Sequence, residues 1–159
     1  MSVIIIEGID RVGKTTLALK LKKELNAKIL KDATIDGRLT KEIVSEKINT
    51  TVNLLTLWPK NDILIVDRFH LSELVYGYLD RRYNNLHMLN VDEMLSKLDV
   101  KLVLVNPTDV EKSSKEHGSD LSIHDKLFRQ FYNDSKIKKK KQCDYNSLDE
   151  TVEWLKGVL

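Results

Sequence analysis

Gly8-Ile9-Asp10-Arg11-Val12-Gly13-Lys14-Thr15 is the stretch on which the fold turns, and it matches G-x-x-x-x-G-K-[ST]. The apolar run Val3 to Ile6 precedes it directly. An amphipathic segment follows, Thr15 to Leu25, with Leu17, Leu21 and Leu25 on one helical face. Strand, glycine loop and helix in that order are the context in which the motif has physical meaning. Glycines let the backbone curl until successive N–H groups face one phosphate, and the helix N-terminus adds a favourable dipole. Lys14 then reaches the outer phosphates of a nucleoside triphosphate, and the Thr15 hydroxyl serves Mg²⁺. Contacts to the bound nucleoside triphosphate are expected from Gly8, Asp10, Arg11, Val12, Gly13, Lys14, Thr15 and Thr16.

Outward from the loop, Ile63 to Val66 and Leu102 to Val105 repeat the pattern of short Ile, Val and Leu runs without polar alternation. Such runs suit parallel strands buried on both faces. Weaker strands are expected at Lys28 to Lys31 and near Gln142 to Tyr145. Helices are expected at Thr40 to Trp58, which Pro59 ends, at His70 to Arg82, and at Val91 to Leu98. Capping boxes are read at Thr108 with Glu111 and at Ser147 with Glu150. Strands alternating with helices predict an α/β fold, a parallel sheet of about five strands with helices on both faces. No repeat, linker or low-complexity tract interrupts residues 1–159, so one domain is expected. The run Lys138 to Lys141 reads as a solvated segment leading into an edge strand.

Composition narrows the partners. The 159 residues are 42% hydrophobic and 31% charged, which fits a packed core under a charged surface. A formal charge of +2 is too small to make nucleic acid or an anionic membrane the main partner. The single cysteine, Cys143, excludes an internal disulfide and suits a reducing cytoplasm. No apolar run approaches the roughly 18 residues that span a bilayer. The expectation is a cytoplasmic protein.

A second site is expected at Asp67-Arg68-Phe69, at the carboxyl end of a strand beside the loop. Open parallel sheets collect their ligands at those ends. There Asp67 would hold Mg²⁺, and Arg68 would grip a phosphate through its two-pronged guanidinium. A local ion pair capping the strand is the alternative. Arg11, inside the loop, is read as a cation supplied in cis to charge developing on the transferred phosphoryl group, the alternative being a solvent-facing side chain. Asp10 would be repelled by phosphates unless it serves a metal, a hydroxyl or Arg11.

Glu7-Gly8-Ile9-Asp10-Arg11-Val12-Gly13-Lys14-Thr15-Thr16, taken with Asp67-Arg68-Phe69-His70-Leu71-Ser72-Glu73-Leu74-Val75-Tyr76, resembles the thymidylate kinase family. The resemblance continues more loosely through Asp99 to Val105 and through Asp144-Tyr145-Asn146-Ser147, the latter similar to a turn near the adenine. It implies a P-loop kinase fold, MgATP as the triphosphate donor and a deoxynucleoside monophosphate as acceptor, most readily dTMP or a related pyrimidine. It further implies that Asp10 meets the sugar 3′-hydroxyl and the metal environment and that Arg68 and Arg38 hold the acceptor phosphate. Phe69, Ser72 and Tyr76 would belong to the acceptor site, and residues 108–122 would form a lid over ATP. One branch of the family carries its catalytic arginine in the loop and none in the lid. Arg11, with Lys112 and Lys115 but no arginine in residues 108–122, fits that branch. The family commonly pairs as a homodimer. An excess of lysine (20) over arginine (6) fits an AT-rich genome such as a phage's.

The sequence departs from the family where Gly77 stands near the base, and where no aromatic-arginine pair occurs within Thr40 to Trp58. His70 is weighed as a substrate contact, His87, His117 and His124 as surface residues, and Cys143 as a small hydrophobe against the last helix. Two rivals remain: a kinase for a nucleoside or a polynucleotide 5′-hydroxyl, and a non-catalytic nucleotide-binding regulator. An N-K-x-D guanine-reading segment is missing.

Overall fold

The three apolar runs become the three central strands of one parallel sheet. The structure, a computed structural model, describes residues 2–31, 41–59, 61–82 and 86–159. Its strands are β1 (Ser2–Glu7), β2 (Lys28–Lys31), β3 (Ile63–Asp67), β4 (Val100–Val105) and β5 (Lys139–Cys143). They lie in the order β2-β3-β1-β4-β5, every pair parallel. β4 is buried along its whole length, as is β1 from Val3 onward, which is why these strands carry no polar alternation.

Among the described residues seven helices connect and cover the strands: α1 (Lys14–Leu25), α2 (Lys41–Leu57), α3 (His70–Leu79), α4 (His87–Ser96), α5 (Val110–His117), α6 (Ser122–Asp134) and α7 (Leu148–Val158). α1 packs with α7, whereas α3 packs with α4 and α6. Right-handed crossovers require this division, because the chain moves one way along the sheet from β1 to β2 and the other way from β3 to β4 to β5. In α2 the buried Val44, Ile48, Val52 and Leu55 form one stripe at helical spacing.

Several local expectations are corrected. The lysine run is not a lead-in to β5 but most of the strand itself. At the sheet edge its side chains reach out to partners, Lys139 Nζ to Asp99 Oδ1 at 2.9 Å and Lys140 Nζ to the Tyr132 carbonyl at 2.9 Å. α3 stops at Leu79, three residues before the expected end. The amides of Asp80 and Arg81 both turn back to the Tyr76 carbonyl, and Arg82 takes a left-handed backbone at φ +54°. α5 is capped by Asp109, which accepts the Lys112 amide at 3.0 Å, and not by Thr108. At the other predicted box, Asp144 pairs with Ser147 around a 3₁₀ turn (Tyr145–Ser147), and Ser147 makes no side-chain cap for α7. Cys143 is buried beside Thr151 of α7, a small side chain against the last helix as expected.

Register sets the working end of the sheet. Ile6 stands opposite Asp67, Lys31 opposite Asp67, Glu7 opposite Leu104 and Val105 opposite Cys143. The carboxyl ends of all five strands are therefore level, with the glycine loop and Asp67-Arg68 side by side.

Candidate active site

The loop between β1 and α1 turns on two glycines for different reasons. Gly8 has φ +139°, and a Cβ there would stand 2.3 Å from the Val105 carbonyl oxygen, so the loop lies directly on the end of β4. Gly13 has φ +96° at the start of α1, and a Cβ would meet the Tyr145 ring at 2.7 Å. Between them Arg11 adopts φ +65°, an uncommon backbone for a residue with a side chain. That geometry curls the loop over the N-terminus of α1.

Lys14 is only 4% exposed and donates to the Ile9 carbonyl of the same loop. Burial pushes its ammonium down to about 8, while Asp67 and Glu7 pull the other way. Thr15 Oγ1 donates to Asp67 Oδ2 at 3.4 Å. The other carboxylate oxygen, Asp67 Oδ1, is buried and has no hydrogen-bond partner. A hydroxyl beside a carboxylate with an unsatisfied oxygen is an oxygen donor set that fits Mg²⁺. Among the described residues no group of three His, Cys, Asp or Glu side chains could by itself hold a metal. A cavity of about 560 Å³ opens over these groups, with Arg11, Lys14, Thr15, Asp67, Lys31 and Tyr145 on its wall. Thr16, Val12 and Gly13 line it as well.

Beside it lies a cavity of about 230 Å³ bounded by Ser72, Tyr76, Asp80, Arg81 and His117. Asp10 and Arg68 belong to both walls. They form an ion pair, Arg68 Nη2 to Asp10 Oδ1, and Arg68 holds a left-handed backbone at φ +72° with its amide bonded to the Ile6 carbonyl at 2.9 Å. The Arg68 guanidinium also lies 5.8 Å from the Tyr76 ring centre. Tyr76 Oη donates to Asp10 Oδ2 at 3.5 Å, and burial pushes the phenol up to about 12, so it stays protonated.

The structure thus gathers Asp10, Arg11, Lys14, Thr15, Asp67, Arg68 and Tyr76 at one strand end. Phe69 does not join them. It is 3% exposed, packs edge-on against His70, and lines neither cavity. Ser72 reaches the cavity rim, but its hydroxyl is spent on Glu7. Arg38 lies outside the described residues. His70 is fully buried, bonded to Asp92 Oδ1 at 2.9 Å, and so holds α3 to α4 instead of meeting a substrate.

His117, read from the sequence as a surface residue, reaches Asp10, and nothing local in the sequence announces that contact. Glu7 and Tyr145 stood in the quoted motifs without the contacts seen here: Glu7 anchors the start of α3, and Tyr145 packs its ring on Gly13.

The comparisons agree with this geometry at the level of fold. The fold is the P-loop NTPase fold, a five-stranded parallel sheet flanked by helices. Solved structures with this fold include a YorR protein from Bacillus subtilis in complex with phosphorylated GDP (TM-score 0.74, 24% identity, 98% of this chain and 94% of that one). They also include the thymidylate kinase of Candida albicans (TM-score 0.61, 18% identity, 98% and 89%) and a deoxyadenosine kinase from M. mycoides (TM-score 0.56, 13% identity, 98% and 96%). No family model matches the sequence. The SPbeta prophage-derived uncharacterized protein YorR of Bacillus subtilis strain 168 is 32% identical over 124 residues, which cover 76% of this chain and 72% of that protein. The chain belongs to the YorR family.

Proposed function

We propose that this protein transfers the γ-phosphoryl group of MgATP to a deoxynucleoside 5′-monophosphate, dTMP or a related pyrimidine first among them, giving ADP and the diphosphate. The observation that carries this reading is the Asp10–Arg68 pair, which stands on the wall of both cavities. A group held beside the loop and a group held beside Tyr76 would meet there.

Each residue has a task in that reaction. Backbone amides of Gly8 to Gly13 cradle the donor phosphates, and Lys14 moves from the Ile9 carbonyl to the β- and γ-oxygens. Arg11 neutralises charge developing on the transferred group, in keeping with a segment 108–122 that has lysines but no arginine. Thr15 and Asp67 would hold Mg²⁺, which when bound supplies further charge neutralisation between the phosphates. Arg68, with Arg38, takes the acceptor phosphate. That phosphate is itself the nucleophile, so positioning and charge account for the rate without a strong base. Closure of residues 108–122 would exclude water, which otherwise would accept the phosphoryl group.

A second reading has one observation in its favour. Asp10 puts a carboxylate on the wall of the acceptor cavity, where a neutral hydroxyl acceptor would find a base. ADP formation measured across dTMP, dUMP, 5-hydroxymethyl-dUMP, dCMP, dGMP, dAMP, thymidine and a 5′-hydroxyl oligonucleotide separates the two. Turnover with monophosphates supports the first reading. Turnover with thymidine or the oligonucleotide alone supports the second, and ATP binding without turnover would leave a nucleotide-binding regulator.

A further inference from the structure

Asp10 is a hub of unusual composition. Its carboxylate meets Arg68 from the end of β3, Tyr76 from α3 and His117 from α5. The last of these is 107 residues away in the chain and sits on the segment expected to cover the donor. His117 Nε2 lies 3.3 Å from Asp10 Oδ2. Its other nitrogen, Nδ1, lies 2.7 Å from the Ser119 hydroxyl. When that hydroxyl donates to Nδ1, the ring proton sits on Nε2, the nitrogen that stands nearer the carboxylate. The ring's placement is built into the backbone. α5 ends at Gly118, whose φ of +85° and amide bond to the Ser114 carbonyl at 2.9 Å close the helix and turn its last side chain toward the cavity.

Arg68 and His117 therefore converge on one carboxylate inside the smaller cavity. An arginine fork and an imidazole N–H are donors that suit a phosphate equally well, and a phosphate offers three oxygens and more charge than a carboxylate. We propose that His117 is a ligand of the acceptor's 5′-phosphate, brought by α5, and that Asp10 holds its place until the acceptor arrives. The inference rests on the monophosphate-kinase reading and adds to it a residue and a consequence. Acceptor occupancy would be felt by the same segment that covers the donor, so closure over ATP would follow acceptor binding.

The test compares wild type, His117→Ala and His117→Gln, using the monophosphate that the acceptor panel selects. Initial rates give both KM values, and calorimetry without ATP gives the affinity for the monophosphate and for its nucleoside. His117→Ala is expected to raise the acceptor KM and Kd about tenfold, as losing one charge-assisted hydrogen bond does. The ATP KM and the nucleoside affinity should stay within about twofold, and His117→Gln, whose amide still donates, should recover part of the loss. Unchanged acceptor affinity in His117→Ala overturns the proposal. So does a loss shared equally by nucleoside and nucleotide, or by ATP and acceptor, which would make His117 a structural latch. Arg68→Ala serves as the control. If it weakens the acceptor and His117→Ala does not, only the present inference falls. If neither does, the acceptor site itself is misassigned and both fall.

Discussion

Ser72 Oγ, in the first turn of α3, donates to Glu7 Oε2, at the end of β1, across 2.5 Å. The other oxygen of Glu7 accepts the amides of Phe69 and Leu71 at 3.0 Å each. α3 has no side-chain cap of its own at Phe69, so a strand 62 residues earlier satisfies its open amides. This fixes the approach of α3 to the phosphate loop, and with it the position of Tyr76.

Glu7→Ala is expected to destabilise the fold by more than about 3 kcal/mol, because three buried donors lose their acceptor at roughly 1–3 kcal/mol each. Glu7→Gln keeps one carbonyl oxygen for the two amides and can donate to Ser72, so it should cost far less. Burial raises the Glu7 carboxyl above its ordinary 4.5, against the pull of His70 and of its three hydrogen bonds. The proton is then held more tightly in the folded protein. Wild-type stability from this group is full below about pH 4.5 and is lost as pH rises through the raised value. Urea unfolding of wild type and Glu7→Gln from pH 4 to 8 should show the variant gaining on wild type as pH rises. A difference independent of pH would contradict the assignment.

Much of this was readable before any coordinates. The G-x-x-x-x-G-K-T motif between an apolar run and an amphipathic segment identified β1, the loop and α1, and the other two apolar runs are β3 and β4. What the sequence concealed depends on contacts between distant segments. The ties from Glu7 to α3 and from His117 to Asp10 leave no periodic trace, because each is one side chain meeting a segment more than 60 residues away. β5 was misplaced for a different reason. β5 lies at the sheet's margin and buries only Cys143, so three lysines can stand in it without any apolar run to reveal it. The cap of α5 moved by one residue because Thr108 and Asp109 are both competent caps, and the backbone turn selected the carboxylate.

Arg68→Ala should weaken the acceptor and spare the donor. Arg68 stands on both cavity walls, whereas in the proposed reaction Lys14 and the loop amides would hold ATP without it. An increase of about ten- to a hundredfold in acceptor KM, with ATP affinity within about twofold, is expected for loss of a charge-assisted phosphate contact. Initial-rate kinetics with each substrate varied in turn checks this. An unchanged acceptor KM would remove Arg68 from the acceptor clamp.

Asp67 Oδ1 is buried without a hydrogen-bond partner, an acceptor that a divalent cation would satisfy. Chelation of divalent ions should therefore stop turnover, and added Mg²⁺ should restore it. Asp67→Asn halves the oxygen set and removes its charge, so half-maximal activity should need at least about tenfold more Mg²⁺. Titration of activity against Mg²⁺ in both proteins decides the matter. Identical titration curves would place the metal elsewhere.

Lys14 offers the sharpest pH signature. With its ammonium pushed down to about 8, roughly half of the free protein carries a neutral Lys14 at that pH. Donor phosphates favour the charged amine, so ATP binding near pH 8 to 9 should draw a proton from solvent, and ATP affinity should fall as pH rises past 8. At pH 6 the amine is already charged and takes up nothing. Calorimetry of ATP binding in two buffers of different ionisation enthalpy, at pH 6 and pH 8.5, measures the uptake directly. Protons exchanged by ATP itself appear equally in Lys14→Ala, so the difference between the proteins isolates the lysine. That difference should approach half a proton or more at pH 8.5 and vanish at pH 6, and Lys14→Ala should have no measurable turnover. Equal proton uptake in the two proteins at pH 8.5 would show that the buried amine does not meet the donor phosphates.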